Sequence, residues 1–232
     1  MDSYYFNPKT QRYHYSAGDR KGQMIKNETV RFAREKVINS SNNKIDDLTE
    51  QLSKGKIDLT KWESLVSREL TEQHTISYLL GIGGERFVED SDLDAVNRRI
   101  KSELIYLRRL SEDYEQNRIS PAMLKSRIKM FGRSQRGTYE AAKQVSHERN
   151  EFIWERRILT KSENCYSCYI YALRGWQRIG TLPPPTVRCE CRSNCGCYKI
   201  YSKDVFPEEK GEEYNLLLRS PLLSPVDFHQ NH

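Results

Sequence analysis

The sequence predicts a mainly α chain of the α+β class. It is an antiparallel helical bundle with an extended N-terminal arm, a small β-hairpin, zinc-knuckle-like C-terminal module and an extended C-terminal tail. Three observations predict this. Apolar residues recur every three or four positions from residue 27 to about residue 151. Strand-like texture lies on either side of that run, in "QRYHYS" and "FIWERRIL". All six cysteines fall between residues 165 and 197. The divisions expected are 1–26 for the N-terminal arm, 27–151 for the helical body, 152–201 for the cysteine-rich β module and 202–232 for the C-terminal arm.

In the arm, "NPKT" and "SAGDRKG" bracket "QRYHYS" and read as turns around a short strand. The segment reads as a lead-in that packs onto something else. In the body, Val30, Ala33 and Val37 share one face, as do Ile45, Leu48 and Leu52. "NSSNN" between them reads as a break or a polar surface turn. Asp58 reads as the N-cap of a helix carrying Trp62, Leu65, Val66, Leu70 and Ile76, which "GIGG" stops. Ser91 is the expected cap of the next helix, whose stripe is Leu93, Val96, Ile100, Leu104, Leu107 and Leu110. A helix from 93 to 116 would be roughly 35 Å long. Pro121 suits a first helical position, and "FGRSQRG" is expected to interrupt the helix that follows. Four or five helices joined by short connectors make a bundle. The tail after residue 201 has three prolines and no period, and its "YNLLL" and "PLL" clusters suggest docking onto a neighbouring subunit or back onto the bundle.

The 232 residues suffice for one domain with appendages or two small ones. At 37% hydrophobic and 30% charged, the composition suits long helices with much solvated surface. Formal net charge is +6. Residues 198–232 carry four Lys/Arg and six Asp/Glu, hence −2, which leaves +8 on the remainder. A mildly basic body permits contact with nucleic acid or an acidic protein surface and requires neither. No apolar run approaches the ~20 residues that cross a bilayer, so no membrane partner is expected. "MDSYYFNPKTQRYHY" lacks the features of a signal peptide, so the chain is expected to stay where it is made. Thiols there are reduced, and clustered cysteines read as metal ligands before disulfides.

Cys165 and Cys168 form a C-x-x-C turn that can hold one side of a tetrahedral ion. "CEC" and "CGC" place Cys189 with Cys191, and Cys195 with Cys197, on one face of a strand. If "RSN" turns the chain back, Cys191 opposes Cys195 and Cys189 opposes Cys197, ~5 Å apart. Four of the six thiolates can then surround one structural zinc at ~2.3 Å. Six exceed the needs of one ion, so either some are spare or two ions share ligands. Disulfides across the hairpin are the competing use. A redox C-x-x-C lacks its βαβ context, and catalytic zinc lacks a nearby His or Glu as general base.

The order of these elements resembles the phage head morphogenesis or minor head proteins of the Mu F-like group, including their variants in cyanobacterial phages. The residues that carry the likeness are "RYHY" with Gly18, Trp62, "GIGG", Trp154, "CYSC", Gly175, Gly180, "LPPP" and "CRSNCGC". Two features depart from the pattern. "PPPTVRC" stands where the family has a His-bearing "PPxHxxC", and Cys189 is additional. The resemblance implies a structural, non-enzymatic virion protein of the head or neck, made in the host cytoplasm and oligomeric in the particle. Its partners would be capsid or portal subunits, with packaged DNA near the basic body.

Two other classes compete. A zinc-containing nucleic-acid-binding module is suggested by "RGWQR", Arg188 and Arg192 around the cysteines. An enzyme such as a nuclease or transferase would need a carboxylate–histidine cluster, and the histidines are scattered.

Overall fold

The structure is a computed structural model. It describes residues 4–7, 10, 12–160 and 164–204. Four helices make the body: α1 (Asn27–Ser53), α2 (Leu59–Ile82), α3 (Asp90–Glu115) and α4 (Pro121–Arg149). Cross-helix contacts fix their directions. Thr49 of α1 meets Trp62 of α2, and Lys44 meets Glu69, so those two run antiparallel. Glu63 of α2 meets Arg108 of α3, while Asp92 and Asp113 of α3 meet Arg149 and Arg127 of α4. The result is the up-down-up-down bundle that short connectors favour. Its main core gathers Ile45, Trp62, Val66, Leu70, Leu107, Leu124 and Ile128. A second cluster, Tyr78, Ile82, Val96, Ile100 and Ala142, continues it along α2, α3 and α4.

Local chemistry explains the helix ends. The Asp58 side chain accepts from the Lys61 N–H, as expected of an N-cap, and Ser120 accepts from Met123 N–H ahead of Pro121. Ser91 is not the cap of α3. Glu89 is, and its own N–H donates to the Asp92 carboxylate. The Asp92 carboxylate is fixed for this because Arg149 and the Tyr78 hydroxyl also anchor it, whereas Ser91 only accepts a longer bond from Arg149.

Two expected interruptions are absent. "NSSNN" lies inside a continuous α1, where Ser41 is buried against Gln135. "FGRSQRG" lies inside a continuous α4. A Cβ on Gly137 would come within 2.6 Å of the Thr186 hydroxyl, so this glycine serves a close approach and not a break. Gly81 works likewise: a Cβ there would lie 2.4 Å from the Tyr139 carbonyl, which lets α2 and α4 touch. The rest of "GIGG" does stop α2, with Gly83 at φ 103°.

The N-terminal segment has more order than an extended arm. β1 (Tyr4–Asn7), β2 (Arg12–Tyr15) and β3 (Met24–Ile25) form an antiparallel sheet. The expected strand "QRYHYS" is its centre. Phe6 N–H donates to the Gly83 carbonyl, and Phe6, Tyr13, Ile25, Val30 and Phe152 share an apolar cluster. His147 of α4 sits in that joint, stacked on Tyr201 and against Phe6 and Phe152, with Nδ1 2.7 Å from the Lys143 carbonyl.

The C-terminal module holds a second antiparallel sheet, in the order β5 (Gln177–Arg178), β4 (Trp154–Ile158), β6 (Tyr198–Ser202). A short helix, α5 (Tyr166–Leu173), packs on β4. A buried ion pair joins β6 to β4, and its hydrogen bond to Gln144 ties it to α4. Lys199 Nζ lies 2.7 Å from Glu155 Oε2, and both side chains are fully buried. Gln144 of α4 and the Leu182 carbonyl take the other ammonium protons, and Leu182 N–H donates to Glu155. The expected C-terminal arm, apart from residues 202–204, lies outside the described residues.

Removing one partner strands a buried charge. Lys199→Met should cost about 3–5 kcal/mol in denaturant unfolding, and Lys199→Met with Glu155→Leu should recover most of it. Burial and the Lys143 charge lower the His147 pKa from 6.5 to about 3. Its neutral ring therefore stabilises the fold fully above pH 6.5, and that contribution is lost as pH falls toward 3. His147→Phe should flatten the dependence of unfolding free energy on pH in that window by ~1.4 kcal/mol per pH unit.

Candidate metal centre

Cys165 precedes α5 as its N-cap, and Cys168 lies in its first turn. Amide groups of Cys168 and Tyr169 both donate to the Cys165 carbonyl. This tight start turns both sulfurs toward the later cysteines. Those arrive on an irregular loop. The expected hairpin does not form: Arg192–Asn194 is a 3-10 turn, and β6 pairs with β4 instead. Arg192, Asn194 and Cys195 N–H groups donate back three residues, so successive turns wind the chain inward. The sulfurs therefore converge from several directions, where a strand would have aligned them on one face.

The Sγ atoms of Cys168, Cys189, Cys191 and Cys195 all lie within 4.8 Å of one another. Cys191 stands at the centre, 3.7 Å from Cys168 and 3.5 Å from Cys189, and Cys168 is 3.6 Å from Cys195. Cys165 joins at 3.4 Å from Cys191. Cys197 contacts Cys195 and lies 3.5 Å from Asn164 Oδ1. All six predicted residues thus meet in one cluster, and all six are free thiols. Four sulfurs around an ion at ~2.3 Å stand ~3.8 Å apart along each tetrahedral edge. The observed separations are close to that, and the four mutually close cysteines form a candidate metal site.

Proton affinities differ within the cluster. Burial, with the charge of Cys195 next, pushes Cys168 up to about 11. Hydrogen bonds from Cys189 and Cys197 hold Cys195 below the usual thiol range. An incoming cation must displace protons from the sulfurs whose affinity is raised, Cys168 among them.

Among the described residues from 152 onward, the buried apolar side chains are Phe152, Leu182, Pro185 and four cysteines. Four of the module's seven buried apolar residues are therefore cysteines. Three supporting residues were missed in the sequence: Asn164, Glu155 and Lys199. A signal for the last two existed. They are charged residues of opposite sign at inward positions of two short strands, "WERRI" and "YKIYS".

No family model, no curated protein and no solved structure matches the chain. Among the described residues, no helix is long and apolar enough to cross a membrane.

Proposed function

We propose that the chain is a non-enzymatic structural protein of a tailed-phage head or neck, a minor head protein whose C-terminal module is held by one zinc ion. The observation that carries the zinc is the packing of four sulfurs within 4.8 Å of one another in a module with little other apolar core. An all-sulfur tetrahedral donor set selects zinc or an iron–sulfur centre, and zinc is the choice for a purely structural role. Cys168, Cys189, Cys191 and Cys195 would hold it. When bound, it supplies cross-linking of the module and no open coordination position.

The phage assignment rests on the resemblance, and the positions of its residues support a structural reading. Trp62 is buried in the bundle core. Gly18, Gly83, Gly175 and Gly180 sit at positive φ in turns. Trp154 begins β4, and Leu182 of "LPPP" fills the module while its carbonyl accepts from Lys199. Each residue shapes the fold. The two buried helical histidines are likewise committed: His74 pairs with Thr138 and Ser134, and His147 with the Lys143 carbonyl. Assembly with capsid or portal subunits is the function proposed.

Two measurements test this. Purified protein should carry about one zinc per chain by elemental analysis, with no disulfide. Cys168→Ser should lose the zinc and lower stability by several kcal/mol, while Cys197→Ser should keep it. Zinc-free protein of native stability would end the metal reading. Peptides of the chain should also appear in mass spectra of purified heads, and their consistent absence from particles would end the virion reading.

A further inference from the structure

One zinc on four sulfurs leaves Cys165 and Cys197 over. Neither is detached from the cluster. Cys165 Sγ lies 3.4 Å from Cys191 and also hydrogen-bonds Cys168. Cys197 hydrogen-bonds Cys195 and Cys168. It also reaches Asn164 Oδ1 at 3.5 Å, where a thiol is only a weak donor. The two surplus sulfurs thus attach to different members of the zinc set, Cys191 and Cys195, and share Cys168.

The contacts divide into two foursomes. Cys165, Cys191, Cys168 and Cys189 make one: Cys191 is 3.4 Å from Cys165, 3.7 Å from Cys168 and 3.5 Å from Cys189. Cys195, Cys197, Cys168 and Cys189 make the other: Cys195 is 3.6 Å from Cys168 and hydrogen-bonds both Cys189 and Cys197. Cys168 and Cys189 belong to both and lie within 4.8 Å of each other. Two sulfur tetrahedra sharing one edge have this pattern of neighbours, each edge being ~3.8 Å for a metal–sulfur distance of ~2.3 Å. A thiolate sulfur has lone pairs enough to bridge two ions. Uncompensated thiolate charge in a buried or half-buried cluster is costly, and each further divalent cation offsets more of it. An all-sulfur donor set selects soft, thiophilic ions.

We infer that the cluster accepts a second thiophilic divalent cation beyond the structural zinc, with Cys165 and Cys191 on one ion, Cys195 and Cys197 on the other, and Cys168 and Cys189 bridging both. Filling it changes partners within the cluster. The one-ion set of Cys168, Cys189, Cys191 and Cys195 divides, and Cys165 and Cys197 complete the two halves. The module then holds one ion where metal is scarce and two where it is plentiful. This rests on the proposed metal reading and deepens it.

The test titrates the zinc-loaded full chain with cadmium and weighs it by native mass spectrometry. Uptake should continue past one ion and stop at about two per chain. The fully loaded form should shield Cys165 from iodoacetamide, whereas the one-ion form should leave this half-exposed thiol open to it. Cys165→Ser and Cys197→Ser should each keep the first ion, which shows that the variant folds, and lose the second. In cobalt-exchanged protein the EPR signal should grow with the first ion and shrink with the second, because shared sulfurs couple the two spins. Uptake that ends at one ion sinks this inference and leaves the structural zinc standing. A second ion that both serine variants still hold, or an EPR signal that keeps growing, would overturn it as well. A chain that takes up no ion removes both readings together.

Discussion

The module after residue 151 depends on sulfur meeting sulfur. Its sheet has two strands of five residues and one of two, and its single helix has eight. Pieces of that size cannot bury enough apolar surface to offset chain entropy. Here the missing core is supplied twice over. Cysteine side chains occupy part of the interior, and the buried Lys199–Glu155 pair joins β6 to β4, with Gln144 of α4 accepting from Lys199. Both are costly unless completed. A buried ion pair is favourable only when every remaining proton and lone pair is satisfied, as Gln144 and Leu182 do here. Crowded thiols become stabilising when a cation replaces their protons.

The rest of the chain is organised around that module. The N-terminal sheet rests on the end of α2, on His147 and on Phe152, so it bridges body and module. Tyr201 of β6 stacks on His147 from the other side. The two ends of the described chain therefore share one aromatic joint. Such a joint packs the bundle and the two small sheets against one another.

Much of this was legible in the sequence. Helical periodicity located the body, Asp58 and Pro121 marked two helix starts, "GIGG" marked a stop, and the six cysteines marked the site. Where the reading failed, tertiary context had overruled a local signal. The Ser/Asn run in α1 and the glycines in α4 look like breakers, yet Ser41 is buried on α4 and Gly137 makes room for Thr186. Ser91 lost its capping role to Glu89, whose N–H donates to the Asp92 carboxylate that Arg149 and Tyr78 hold. The alternating "CEC" and "CGC" suggested a strand pair, but β6 finds a longer partner in β4, and the cysteine loop winds into turns. None of these partners is near in sequence, so no local pattern could report them.

The claim beneath all of this is that the sulfurs bind an ion directly and exclusively. Zinc-edge X-ray absorption on the purified protein tests it most directly. Four sulfur scatterers at ~2.3 Å, with no nitrogen or oxygen bound to the ion, are the predicted result. A spectrum with nitrogen or oxygen ligands, or with only two sulfurs, would contradict it.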